Sequence, residues 1–175
     1  MPVHPLEERK LPPTSGTKFG AGRSASGRPP ECGGGHCGVD LYYWRGGMKD
    51  RDYGSGRPVF AVADGKVIAA GTGDRAGVFV WLNHGGWRSH YVHLGSRNVD
   101  LHEQVKQGQP IGTLGRTGIK RDPAHLHFAL SRGGKYYNPV PSLQSWDLVD
   151  GSSKTGIFGL VAASLALLYW LKTRG

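Results

Sequence analysis

Helical patterning is the first thing this 175-residue chain lacks. Before residue 150 no stretch places apolar residues at the three-and-four spacing of an amphipathic helix, so an all-β domain is expected. No internal repeat is present. Residues 1–13 hold no apolar run, so no secretory signal peptide is visible. Cysteine is scarce, with Cys32 and Cys37 the only two. The 29 glycines follow no every-third pattern, which excludes a collagen-like rod. There is no His-Glu-x-x-His, so a general base at a metal site must be a histidine and not a zincin glutamate. No helix-turn-helix or ordered aromatic motif appears, and no nucleic acid partner is expected.

The residues that are present point elsewhere. A formal net charge of +9 favours polyanions, and nucleic acid, anionic lipid and acidic wall polymers satisfy it equally. Five Trp and seven Tyr suit a core or a groove that grips a polymer. Prolines break the first 35 residues, and 1–14 reads as a flexible leader. Asp64-Gly65 reads as a hairpin turn between strands at 58–63 and 66–70. Over 77–84, Val78, Val80 and Leu82 face one way and Phe79 and Trp81 the other. Gly85-Gly86 then turns the chain into 87–94, completing a meander of antiparallel strands. Two further strands follow at 109–115 and 124–131, and the domain spans 15–145.

Among eight histidines, four attract interest. His125 and His127 flank Leu126, so in a strand both imidazoles face one side. Periodicity leaves their roles interchangeable, since either can ligate a metal or move a proton. In Ser89-His90-Tyr91-Val92-His93, alternation puts Ser89, Tyr91 and His93 on one face and turns His90 away. His93 meets the same pocket if this strand lies near the 124–131 strand. His36 and Asp40 add a nitrogen and an oxygen donor, a combination that suits Zn²⁺. His84 and His90 read as structural residues near hairpin ends, His102 as a surface residue, and His4 as part of the leader.

These residues stand in a wider ordered set: His36-x-x-x-Asp40, Pro58-Val59-Phe60-Ala61-Val62-Ala63-Asp64-Gly65, Tyr91-Val92-His93-Leu94, Gly115-Arg116-Thr117-Gly118 and His125-Leu126-His127-Phe128. In this the chain resembles the LytM/lysostaphin-type zinc metallopeptidases, peptidase family M23. The resemblance implies an antiparallel β-sheet groove of the duplicated-hybrid, LytM-like type. It implies Zn²⁺ held by His36, Asp40 and His127, with His93 and His125 as catalytic histidines beside it. It also implies hydrolysis of cross-linking or stem peptides of peptidoglycan by metal-activated water. A non-catalytic wall-binding or regulatory module on the same fold is the alternative, and a basic nucleic-acid-binding protein a weaker one. Whether the bond cleaved is a glycine bridge or a D-amino acid cross-link is left open.

Three features depart from that pattern. Cys32 and Cys37 flank His36. A disulfide pinning the loop is favoured over free thiols or a structural metal site. Residues 44–57 form a basic insertion that reads as a solvated loop. Finally, 146–155 reads as a linker and 156–172 as a hydrophobic C-terminal helix, long enough to span a membrane near the lower limit of about 17 residues. Lys172 and Arg174 suggest a cytoplasmic end, which would leave the catalytic domain outside the membrane in the cell envelope.

Overall fold

One ten-residue strand ties the fold together. The computed structural model describes residues 2–6, 18–21, 32, 35–43, 51–119 and 122–146. Nine strands and one short helix follow in chain order: β1 Val39–Leu41, β2 Pro58–Phe60, β3 Gly65–Gly73, β4 Gly77–Asn83, β5 Arg88–Arg97, β6 Gln104–Val105, β7 Pro110–Leu114, β8 Leu126–Arg132, β9 Lys135–Tyr137 and α1 Val140–Ser145. All pairings are antiparallel. The main path runs β1-β8-β5-β4-β3-β6, while β7 joins β5 to β2 and β9 extends β8. The all-β, antiparallel reading is therefore correct.

The long strand β5 pairs with β4 along one edge and is shared between two strands along the other. Its first half, Arg88 to Val92, pairs with Ser131 to His127 of β8, and Leu94 to Arg97 pair with β7. The change falls at His93, whose φ of 66° lies in the left-handed region. Such a backbone is uncommon for a non-glycine residue and breaks the period-2 alternation. Ser89 and Tyr91 point into the core and are fully buried. His90, Val92 and His93 instead line one groove. The sequence expectation that His93 shares the face of Ser89 and Tyr91 is thus corrected, and so is the expectation that His90 turns away.

The core lies on the other side of the sheet. Tyr91, Phe128, Leu41, Leu82, Leu94 and Leu126 are all fully buried there. Tyr91 and Phe128 are cross-strand partners with ring centroids 5.4 Å apart. Truncating a buried ring such as Phe128 to alanine costs about 3–5 kcal/mol, because a cavity remains. Each core residue of β1 and β8 neighbours a residue on the opposite face. Val39 and Leu41 bracket Asp40, and Leu126 and Phe128 bracket His127. Hydrophobic burial thereby aims the polar pair at the groove.

Three further expectations need correction. Asp64-Gly65 does not close a hairpin, because β2 pairs with β7 and β3 pairs with β4 and β6. The Asp64 carboxylate instead accepts from the Gln107 amide at 2.7 Å and from Lys106 Nζ at 3.1 Å. The flexible leader expected over 1–14 is docked at its start. The Val3 amide donates to the Val62 carbonyl, the Phe60 amide donates to the Pro5 carbonyl, and Leu6 and His4 are fully buried. A six-residue helix, α1, also forms before residue 150, with Leu143 as its buried anchor. Gly85-Gly86 does turn β4 into β5, with positive φ at both glycines. Among the described residues no helix is long and apolar enough to cross a membrane. The span expected over 156–172, and the linker before it from 147 on, lie outside the described residues.

Candidate active site

The groove face of β1 and β8 brings three donor atoms together. Asp40 is the cross-strand partner of His127, and their Oδ1 and Nδ1 atoms are 2.9 Å apart. His36 Nε2 lies 2.9 Å from His127 Nδ1 and 3.1 Å from Asp40 Oδ1. This approach depends on glycine. A Cβ at Gly38 would sit 2.3 Å from the Phe128 carbonyl oxygen and 3.0 Å from His127 Nε2. No side chain is tolerated where the loop passes β8.

Hydrogen atoms alone cannot satisfy this triangle. Each neutral imidazole carries one N–H, and the ionised carboxylate carries none. His36 already commits its Nδ1 to the Lys18 carbonyl at 3.1 Å, so its Nε2 presents a lone pair. A shared cation satisfies all three contacts together. The edges of 2.9–3.1 Å are close to the roughly 3.3 Å between ligand atoms of a tetrahedral centre with bonds of about 2.0 Å. The donor set, two imidazoles and one carboxylate, fits zinc. Burial alone would push the Asp40 carboxyl up, but hydrogen bonds with His127 and His36 outweigh it and hold it well below the usual carboxylate range. It is ionised and ready to ligate.

The presenting loop is held at both ends. The Gly20 amide donates to the His36 carbonyl, and the His36 amide donates to Ala21. Cys32 and Cys37 form a disulfide with their Cα atoms 5.0 Å apart, as the sequence reading favours. The Lys18 and Ala21 contacts escape sequence reading because they use main-chain atoms, which no residue type announces.

Two more imidazoles stand beside the triangle. The His93 and His125 ring centroids are 5.0 Å apart, and His93 lies 6.1 Å from His127. His93 Nδ1 donates to the Thr117 carbonyl at 3.0 Å, and His125 Nδ1 donates to the Pro123 carbonyl at 2.8 Å. Both rings therefore present Nε2 as an acceptor. His125 Nε2 lies 3.7 Å from Asp40 Oδ1. Burial, reinforced by the neighbouring His125 and His127, pushes His93 down to about 4. Burial also pushes His125 down. Each is a neutral base near pH 7. The Tyr42 ring packs 4.8 Å from His125.

All five residues singled out in the sequence, His36, Asp40, His93, His125 and His127, thus line one groove of about 440 Å³. Arg75, Ala76, Ile119 and Asp122 line it as well, and an aromatic row continues it. Trp81 packs 4.9 Å from His90, and His90 packs 5.3 Å from Tyr136. His90 Nε2 is hydrogen-bonded to Ser131 Oγ at 2.8 Å. The remaining histidines stay apart. His84 bridges the Asp64 carbonyl and Ser89 Oγ, a structural role.

The family model for peptidase family M23 matches residues 46–139, more than half of the chain. His36 and Asp40 precede that stretch. The chain is 39% identical over 95 residues to peptidoglycan DD-endopeptidase ShyC of Vibrio cholerae, covering 51% of this chain and 22% of that protein. It is 36% identical over 120 residues to glycyl-glycine endopeptidase ALE-1 of Staphylococcus capitis, covering 65% of this chain and 30% of that protein. It thus spans under a third of either relative. The catalytic domain of the antimicrobial peptidase lysostaphin from Staphylococcus simulans superposes with a TM-score of 0.55 at 34% identity, covering 73% of this chain and 90% of that domain. The family-model match and the structural superposition agree: the chain belongs to peptidase family M23.

Proposed function

We propose that this chain is a zinc-dependent endopeptidase that hydrolyses peptide cross-links or stem peptides of bacterial peptidoglycan. The observation that carries the reading is the convergence of His36 Nε2, Asp40 Oδ1 and His127 Nδ1 within 3.1 Å of one another, beside two imidazoles whose Nε2 atoms are free to accept. His36, Asp40 and His127 would hold the zinc. When bound, it supplies Lewis acidity that polarises a carbonyl and lowers the pKa of a water.

The chain's own residues do the rest. The Thr117 and Pro123 carbonyls fix the Nδ1–H tautomers of His93 and His125, so a proton taken up arrives at Nε2. A neutral imidazole there accepts a proton from the attacking water. Once protonated, it donates to the oxyanion or the leaving amine. Two such rings 5.0 Å apart allow one to act as base while the other stabilises charge. The groove face, open along the aromatic row, accommodates an extended peptide. The relatives with peptidoglycan and glycyl-glycine endopeptidase names support a wall substrate. A membrane anchor over 156–172 would keep this activity at the cell envelope.

Digestion of purified cell walls tests the reading. The purified chain is incubated with walls in zinc buffer, with a chelator, and with zinc restored. New amino termini are expected only where zinc is present, and product masses name the bond. Stoichiometric zinc without cleavage of any wall type would refute the enzyme and leave a binding module on the same fold.

A further inference from the structure

The groove carries a cation that the hydrolytic machinery does not use. Arg75 sits in the turn between β3 and β4, is exposed, and lines the groove with His93 and His125. Among the described residues it makes no ion pair or side-chain hydrogen bond. Asp74 precedes it in the same turn and Asp122 lines the groove before β8, and neither is ion-paired with it.

The turn that carries Arg75 is bolted to the catalytic histidine. The His93 amide donates to the carbonyl of Ala76 at 3.0 Å, and the Val78 amide donates to Thr117 Oγ1 at 2.7 Å. Two glycines complete the joint. A Cβ at Gly77 would lie 2.2 Å from the Thr117 carbonyl, and one at Gly118 would lie 2.8 Å from the Arg75 carbonyl oxygen. Both have positive φ, 63° and 72°. The backbone of Arg75 is thus fixed relative to His93, although its side chain is exposed. A guanidinium presented at fixed register beside the reacting groups matches a carboxylate, which it can grip through two parallel hydrogen bonds.

We infer that Arg75 is a specificity-determining residue that binds a free carboxylate of the substrate beside the scissile bond. The inference rests on the peptidoglycan reading above and deepens it. It selects cross-links or stem peptides built on amino acids that keep a free carboxylate over glycine bridges, whose carboxyls are all consumed in peptide bonds.

Two synthetic peptides test this. One joins D-alanine to a diamino acid with a free α-carboxylate, and the other carries that carboxylate as the primary amide. Affinity for the zinc-loaded 175-residue chain is measured by calorimetry, and cleavage is measured separately. The wild-type chain is expected to bind the carboxylate peptide on the order of tenfold more tightly than the amide. R75M abolishes that preference by weakening the carboxylate peptide alone, and R75K restores part of it. In cleavage the loss appears in KM with kcat unchanged, whereas a merely structural role lowers kcat on both peptides. Equal wild-type affinity for the two peptides, or an unchanged preference in R75M, overturns the inference. Cleavage with no preference leaves the endopeptidase standing without it. A preference lost in R75M, with no cleavage of these peptides or of any wall type, upholds Arg75 and removes the endopeptidase.

Discussion

His93 Nδ1 lies 3.0 Å from the Thr117 carbonyl oxygen, and the hydroxyl of the same threonine joins β5, which carries the histidine, to β4. Thr117 Oγ1 donates to the Leu94 carbonyl at 2.6 Å and accepts from the Val78 amide at 2.7 Å. One residue thus sets both the tautomer of His93 and the position of the β4 start. Replacing Thr117 with valine keeps the carbonyl but strands an amide and a carbonyl. We expect a loss of about 1–3 kcal/mol in denaturant unfolding, with T117S close to wild type. A T117V midpoint equal to that of wild type would contradict this.

His127 and His125 share a groove but differ in their contacts. His127 contributes Nδ1 to the donor triangle, and His125 stands behind it with Nε2 3.7 Å from Asp40. H127A is expected to lose zinc and activity together. H125A is expected to lose activity by about 100-fold or more while retaining most of its zinc. Atomic emission on the two purified variants reads the difference. Equal zinc loss in both would erase the division of roles.

Gly77 and Gly118 occupy left-handed backbone against each other's segments. An added Cβ at Gly118 would lie 2.3 Å from the Gly77 amide nitrogen, a contact that neither side can yield by rotating a side chain. G77A and G118A should each cost at least about 2 kcal/mol, through positive-φ strain and main-chain overlap. G133A is the control, since its φ is also positive but nothing lies within 4 Å of the added atom. Its cost should stay near 1 kcal/mol.

Burial pushes His90 down to about 4 in the folded chain, below the ordinary value of 6.5. Between those values the unfolded chain binds the extra proton, so unfolding becomes easier as pH falls. The contribution of His90 is fully present above pH 6.5 and is lost as pH drops toward 4. His84 shifts in the same direction through burial. Urea titrations in chelator across this range should show a drop in wild-type stability on the order of 1–3 kcal/mol larger than in H90Q. Parallel curves for the two proteins would contradict the assignment.

The site was readable in the sequence wherever it obeys period 2 and opaque wherever it does not. Asp40 and His127 each sit between two core residues, so alternation places them correctly. His93 defeats alternation because its own backbone turns left-handed, and no neighbouring residue type signals that. The Asp64-Gly65 turn misleads because the carboxylate caps a turn some forty residues away, a contact invisible to local reading. The docking of Val3 to Leu6 likewise depends on a partner, Phe60 to Val62, that only the folded chain supplies. Helix α1, at six residues, is shorter than two turns and too short to show a periodicity.

Lys18, Thr117 and Pro123 each orient a histidine through a carbonyl oxygen and not through a side chain. The protonation pattern of the centre is therefore written in chain length between fixed points. Side chains at these positions can drift in composition with the imidazoles still correctly presented. A single-residue deletion in any of the three segments withdraws a carbonyl outright. Libraries that vary loop length, more than libraries that vary residue type, will find the limits of this centre.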